Sequence, residues 1–280
     1  MKGGLLVLML PLFAFPLAAQ SLRTFSAARQ RAGERQFNVD VEFAAGTFRI
    51  NRDATGALYR TRITYNEERY HPVSDYAAGN LVVGLKANSR RGGVDVDSPE
   101  KTHQVMELNV SPEVPTSFDL RFGAAQAVLD LGGLNLVRAS VKTGASESHV
   151  TFSTPTVGRC EHLGFQVGAA EFHAEQLANA RCRALEFQGG VGDVTLDYTG
   201  DWGGAPESTA DITMGMGSLT LVLPRSLGVE VEMTRFLSSF DQSGFEKRGG
   251  RFYTANWDSA KVKLHVDIKA ALGDVKVDWR

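Results

Sequence analysis

Two glutamates and one histidine alternate along a short segment and could share one face of a strand. They are Glu171, His173 and Glu175. Imidazole nitrogen and carboxylate oxygen are common metal ligands, so this trio is a conceivable metal site. The same residues are equally well explained as solvent-facing neighbours of an inward Phe172, because polar and apolar residues alternate along a half-buried strand.

Other carboxylates and histidines give no stronger signal for a metal. Asp95, Asp97 and Glu100 carry the hard oxygen ligands that calcium prefers, but their spacing does not match an EF-hand loop and a polar turn is the simpler interpretation. The remaining histidines considered show no local metal-ligand spacing: His71, His103, His149, His162 and His265. We therefore predict neither a metal nor another cofactor.

Three aspartates occupy matching positions in two similar segments, GGVGDVTLDY from Gly189 and ALGDVKVDWR from Ala271. They are Asp193, Asp197 and Asp274. Paired carboxylates can hydrolyse glycosidic bonds, so a carbohydrate-active β-helix enzyme is one hypothesis. Asp193 and Asp274 each follow a glycine, where aspartate is favoured because it hydrogen-bonds the turn backbone. We predict a protein that is not an enzyme, with the carbohydrate-active enzyme as the alternative.

Short strands must position these residues, because apolar and polar residues alternate with period two from Phe37 onward. Glycines that begin such strands are separated by 21, 24, 24 and 25 residues, a period typical of solenoids: Gly123, Gly144, Gly168, Gly192 and Gly217. Gly273 opens the last strand, and all six are assigned a structural role in turns. Residues 171–181 alone have a competing helical spacing.

One coil of this repeat cannot be stable by itself. Its inward aliphatic side chains, at about 1.5–3 kcal/mol each, do not offset the ordering of about 24 residues at about 1–2 kcal/mol apiece. Coils must therefore stack. GFQVG from Gly164 and EFQGG from Glu186 match at an offset of 22 residues, and Cys160 and Cys182 share that offset. We expect these cysteines to be neighbours in adjacent coils and to form a disulfide.

The first residues predict export. Met1 and Lys2 precede an apolar run from Leu5 to Leu17, and small residues follow, so a signal peptide cleaved after Ala19 is expected. The run is shorter than the roughly 20 apolar residues that cross a bilayer, and we expect no transmembrane segment after cleavage. With 30 basic and 32 acidic residues the net charge is −2, which argues against nucleic-acid binding.

Four segments carry a family resemblance: LDLGGLNLVRASVKTGASESHVTFSTP from Leu129, LANARCRALEFQGGVGDVTLDYTGDW from Leu177, MGMGSLTLVLPRSLGVEVE from Met214, and KLHVDIKAALGDVKVDW from Lys263. Together they resemble the toast-rack family of bacterial envelope proteins, which is related to the C-terminal domain of Lia-type cell-envelope stress regulators and to "putative adhesins". VDVEFAAGTFRI from Val39 and LYRTRITYNEERYHP from Leu58 look like the N-terminal domain that accompanies it.

The resemblance implies an all-β protein, a single-stranded right-handed β-helix-like solenoid, with a β-sandwich as the alternative fold. It carries over no catalytic residue. The expected organisation is a signal peptide at 1–19, a linker at 20–36, an N-terminal β domain at 37–117 and the solenoid at 118–280. We predict an exported protein, periplasmic or at the cell surface, that binds, adheres or scaffolds. A role in envelope stress sensing is implied.

One interval departs from the repeat and contains the predicted binding site. Residues 236–257 are rich in glycine, serine and aromatic residues and include arginine and lysine. Exposed aromatics with arginine favour recognition, whereas aromatics that cover the end of a solenoid would form a cap. The candidate binding residues are Phe236, Phe240, Phe245, Arg251, Phe252, Tyr253 and Trp257. Their partner would be another envelope protein or a surface polymer, and a homo-oligomer is compatible with the sequence.

Overall fold

The computed structural model describes residues 22–88, 104–203 and 205–280. The strands are β1 Leu22–Gln30, β2 Phe37–Arg52, β3 Ala57–Asn66, β4 Tyr70–Ala77, β5 Asn80–Ala87, β6 Val105–Val110, β7 Thr116–Asp130, β8 Leu136–Thr151, β9 Cys160–Glu175, β10 Cys182–Asp197, β11 Glu207–Leu223, β12 Gly228–Phe240, β13 Phe245–Arg248, β14 Arg251–Thr254 and β15 Lys263–Trp279. One short helix, α1 Leu177–Ala180, lies between β9 and β10. No helix in the described ranges is long and apolar enough to span a membrane.

Eight long strands form a parallel stack in the order β2, β7, β8, β9, β10, β11, β15, β12. Each strand is one coil, and its neighbours are the coils above and below it. The all-β, solenoid-like fold predicted from the repeat is therefore confirmed. The last strand along the chain does not end the stack, because β15 inserts between β11 and β12.

Each long strand bends near its middle, and the side that faces the core changes there. In β10, Phe187 is buried before the bend and Val194 and Leu196 are buried after it, while Gly190 and Val191 are both exposed between them. The alternation of buried residues thus shifts by one position at each bend. Rings from the two halves meet in the core, as between Phe172 and Phe187, whose centroids are 5.6 Å apart.

The six glycines predicted to begin strands lie instead in the middle of strands, at the bends. They also form two columns rather than one. Gly123, Gly144 and Gly168 lie in the first column with Gly190 and Gly215, and Gly192, Gly217 and Gly273 lie in the second, two residues further along each strand. The predicted period is correct, but a tight change of direction inside a strand produces the same glycine spacing as a turn between strands.

Close approach between coils explains the second column. Gly217 has φ of 130°, which residues with a side chain rarely adopt, and a Cβ there would overlap the carbonyl oxygen of Gly192 in the preceding coil. In the first column the fit is less tight but still close, since a Cβ would lie 2.4–2.8 Å from the preceding carbonyl oxygen at every glycine except Gly144, where the distance is 3.4 Å.

The cysteine prediction is confirmed. Cys160 and Cys182 are directly opposite each other at the start of β9 and β10, and they are joined by a disulfide bond. Gly164 lies opposite Glu186 in the same pair of strands, as the 22-residue offset predicts. The disulfide therefore links two successive coils at one corner of the stack.

The signal peptide expected at 1–19 lies outside the described residues. The linker expected at 20–36 is wrong for Leu22–Gln30, which forms β1 and pairs with β3. Phe25 and Ala27 pack against the core, and the ring of Tyr76 lies under the Arg29 guanidinium at 4.0 Å. Arg23 pairs with Glu67, and Arg31 pairs with Glu113. The domain boundary at residue 117 stays a prediction; that position lies within β7, which pairs with β2 in the same sheet.

Replacing Gly217 by alanine should lower the free energy of unfolding by about 3 kcal/mol or more, because a strained φ and an overlapping Cβ each cost about 1–3 kcal/mol. Gly144→Ala is the matched control and should cost less than about 1 kcal/mol. Urea unfolding of both variants measures the difference. Equal losses would show that the backbone is no more constrained at Gly217 than at Gly144.

Candidate functional site

β12 is the strand at the end of the stack, and on the side away from β15 it is covered over only half its length. β13 and β14 form a hairpin, here called the cap hairpin, and β14 pairs with β12 at Glu230 and Val231. Beyond Val231, β12 has no partner strand among the described residues on the side away from β15. We call residues 232–240 the open edge.

Most of the predicted binding aromatics belong to the cap. Phe240 and Phe252 are buried, with ring centroids 5.1 Å apart. Phe245 lies 5.8 Å from Phe240 and 5.3 Å from Trp279, whose indole nitrogen donates to the Ser243 carbonyl at 3.0 Å. These rings therefore close the end of the core, as in the capping interpretation.

A polar network fastens the cap hairpin to the stack. The buried carboxylate of Glu230 accepts hydrogen bonds from Arg251 at 2.6 Å and from the Tyr253 hydroxyl at 3.1 Å. Its other oxygen lies 2.6 Å from Nδ1 of His265, and Trp257 packs edge-on against the same imidazole at 5.1 Å. Three more of the predicted site residues, Arg251, Tyr253 and Trp257, thus have structural contacts within the cap.

The network sets the ionisation of Glu230. Burial raises the pKa of this carboxyl, but the hydrogen bonds from Arg251, His265 and Tyr253 outweigh burial and hold the pKa below its ordinary value of 4.5. Glu207 lies 2.6 Å from Nε2 of the same histidine, so both ring nitrogens face carboxylates. Sequence spacing could not show this, since Glu207, Glu230 and His265 come from three different strands.

Phe236 is the predicted site residue that the cap leaves uncovered. It is 81% exposed, and Leu237 beside it is 65% exposed. Both lie on the open edge of β12. The buried Oγ of Ser238, the next residue, has no hydrogen-bond partner among the described residues.

An apolar ridge continues from Leu237 across the stack. Leu237 lies opposite Leu272, Leu272 opposite Met216, and Met216 opposite Val191. All four are exposed, although they are large aliphatic residues. Isolated exposed apolar residues are common, but a contiguous row of them marks an interaction surface.

The sequence contains a signal for this ridge in its repeat. Each of Val191, Met216 and Leu272 directly precedes a glycine of the second column, and Leu237 precedes Ser238 at the same position of β12. An apolar residue at that repeating position breaks the alternation of buried and exposed residues. Reading the repeat column by column would have predicted an exposed apolar row.

The metal hypotheses gain no support from the described residues, in which no group of three or more ligand side chains could hold a metal ion. Glu171, His173 and Glu175 do share an outward face of β9, but His173 pairs with Glu171 at 3.0 Å and stacks on His149 with centroids 4.9 Å apart. Asp95, Asp97, Glu100 and His103 lie outside the described residues.

The aspartates of the enzyme hypothesis are partly brought together. Asp193 and Asp274 share one exposed column, with β11 between them, and Asp197 lies four residues further along β10. Asp274 accepts a hydrogen bond from Ser239 at 2.5 Å, and Asp197 accepts one from the backbone of Thr199 at 2.8 Å. These are local structural roles, as expected for aspartates near a bend.

Glu230→Gln should lower the unfolding free energy at neutral pH by about 1–3 kcal/mol, because a buried charged acceptor is lost. A carboxyl whose folded pKa is lowered stabilises above its unfolded pKa, and this contribution disappears as pH falls below about 4.5 through the folded pKa. The variant should therefore lose stability less steeply in acid.

Urea unfolding followed by tryptophan fluorescence from neutral to acidic pH measures both effects. Glu246→Gln is the control, since Glu246 is an exposed residue of the cap hairpin whose ion pair with Arg248 should contribute little. A Glu230→Gln protein with the wild-type pH dependence would contradict the assigned role of the network.

Comparison with known proteins gives one family match. The profile described as "N-terminal domain of toast_rack, DUF2154" matches residues 19–161, just over half of the chain. A comparison with curated proteins found no match.

Distant structural likenesses were also found. A "putative cell adhesion protein" from Clostridium sporogenes is 15% identical, with 93% of this chain and 100% of that chain covered and a TM-score of 0.48. A "putative adhesin" from Bacteroides fragilis is 12% identical, with coverage of 92% and 98% and a TM-score of 0.38. The family match alone covers enough of the sequence to assign a relationship, and by it the chain belongs to the toast-rack family.

Proposed function

We propose that this protein is an exported, non-catalytic binding module of the cell envelope, and that it takes up an extended segment of a partner polypeptide at the open edge of β12. The observation that carries the proposal concerns the described part of the chain, where a strand edge without a partner coincides with the two most exposed large apolar side chains, Phe236 and Leu237. The role is binding or scaffolding.

The backbone of the open edge indicates the kind of partner. The N–H of Asp241 bonds to the Val275 carbonyl of β15, so by strand alternation the N–H groups of Phe240 and Ser238 point away from β15. An edge of this kind is satisfied by another strand, which supplies a matching ladder of donors and acceptors. A polypeptide therefore fits this edge better than a polymer without a backbone amide.

The apolar ridge supplies affinity beside the edge. Burial of Phe236 and Leu237 would contribute about 1.5–3 kcal/mol each. Leu272 and Met216 continue the apolar surface beyond the edge strand. A partner that adds a strand and covers the ridge would bury both features together.

Export is supported by the N-terminal sequence and by the disulfide. The Cys160–Cys182 bond is of a kind that persists in oxidising compartments such as the periplasm or the cell surface. Envelope stress sensing is a narrower form of the same proposal, in which the partner would be a regulatory protein of the envelope.

Phe236→Glu should abolish capture of the partner, since a charge would be placed in the centre of the interface. The experiment compares proteins retained from envelope extract by wild type and variant, identified by mass spectrometry. Val157→Glu is the matched control, because Val157 is 52% exposed and lies away from the ridge. Equal capture by wild type and Phe236→Glu would overturn the proposal.

Ser238→Pro tests the edge separately from the ridge. Proline removes an N–H that faces away from β15 and is tolerated on edge strands, so the fold should remain while capture is lost. Light scattering of the wild type shows whether the partner is a second copy, and a dimer that Ser238→Pro dissociates would identify it as such.

Export gives a further expectation. Protein recovered from the envelope of the producing cells should begin at Gln20 and contain no free thiol. Intact mass measured with and without reduction checks both. A protein that keeps Met1 and has two free thiols would contradict export.

A further inference from the structure

A groove on the other side of the first glycine column is independent of the open edge. It has a volume of about 950 Å³ and crosses five neighbouring strands, β2, β7, β8, β9 and β10. Four strand spacings of about 4.8 Å give it a length of about 19 Å. At the β2 end it is bounded by Leu85, Lys86 and Ala87 of β5.

One wall of the groove is a column of polar side chains. Glu42, Arg121, Lys142, Gln166 and Gln188 lie directly opposite one another in successive strands. With Lys86 the lining contains three cations and one acid, although the whole chain has a net charge of −2. Because Arg121 and Lys86 have acidic partners, the unpaired positive charge of the groove among the described residues is that of Lys142.

Two neighbouring members of this column, Lys142 and Gln166, are available for a ligand. Arg121 is held by Asp40 at 2.6 Å, and Lys86 pairs with Glu42 at 3.0 Å. Lys142 and the side chain of Gln166, by contrast, make no ion pair or hydrogen bond with any described residue. Both are exposed and adjacent, so an ammonium group and an amide point into the groove side by side.

The floor shapes the ligand. Gly144, Gly168 and Gly190 have no side chains and therefore expose bare backbone there. The strands are also close together, since a Cβ on Gly168 would lie 2.7 Å from the Gly144 carbonyl oxygen. A flat ring could therefore approach the peptide planes closely. The backbone groups themselves are occupied, since each of the five strands is paired on both sides along the groove. A peptide would find no free edge here.

We propose that the groove binds a linear acidic polysaccharide that lies across the strands. Lys142 pairs with a carboxylate or sulfate of the sugar chain, and Gln166 hydrogen-bonds to a neighbouring hydroxyl. This site is separate from the open edge, so the protein would hold a glycan on one surface and a polypeptide on another.

Calorimetry with oligogalacturonate at low ionic strength tests the proposal, with a neutral dextran oligosaccharide and poly-glutamate as comparison probes. We expect saturable binding of oligogalacturonate that weakens as salt is added, and weaker binding of both comparison probes. Lys142→Gln should weaken binding about tenfold, as for the loss of one charged hydrogen bond. Lys276→Gln should leave the affinity unchanged, because Lys276 is exposed and lies in the second half of β15, beyond the bend.

Three results would overturn the proposal. One is the lack of saturable binding to oligogalacturonate. The second is an equal loss in Lys142→Gln and Lys276→Gln, which would mean that only net charge matters. The third is binding of poly-glutamate as tight as that of oligogalacturonate, which would assign the groove to acidic peptides. Phe236→Glu should bind the glycan normally, so failure here is distinguishable from failure of the open-edge proposal.

Discussion

The structure depends on how closely successive coils approach at their bends. At the second glycine column the carbonyl oxygen of one coil occupies the space that a side chain would need on the next, as between Gly192 and Gly217. A large side chain at Gly217 would separate these coils, and the earlier coils carry only small residues at the same position, such as Ala125 and Ala170. Because a single coil cannot bury its own apolar residues, the core requires this close stacking of coils.

The same constraint determines what the outer surface can present. Both glycine columns are restricted to small residues. The side chains next to these columns therefore have no large neighbour along their own strand. On one side this leaves the groove beneath Lys142 and Gln166, and between the columns it leaves the apolar ridge from Val191 to Leu237. Both candidate binding surfaces are consequences of the bend, although they differ in polarity.

Sequence reasoning recovered the repeat, because glycine spacing and strand alternation are local properties. It also recovered the contact between Cys160 and Cys182, since a constant offset becomes adjacency in a stack. It missed that the glycines lie within strands, because a bend and a turn have the same local requirement. The insertion of β15 between β11 and β12 leaves no trace in spacing, and neither does the meeting of Glu230 with His265.

The candidate binding residues were predicted as one group, and the structure separates them by position in the stack. Phe240 and Phe252 have core neighbours, whereas Phe236 occupies the first-column position that glycine or alanine fills in the adjoining coils. A large side chain fits there because no strand among the described residues lies above the second half of β12. The end of the stack is thus the one place where the small-residue rule is relaxed, and a partner strand that continued the stack would meet Phe236 before any other residue.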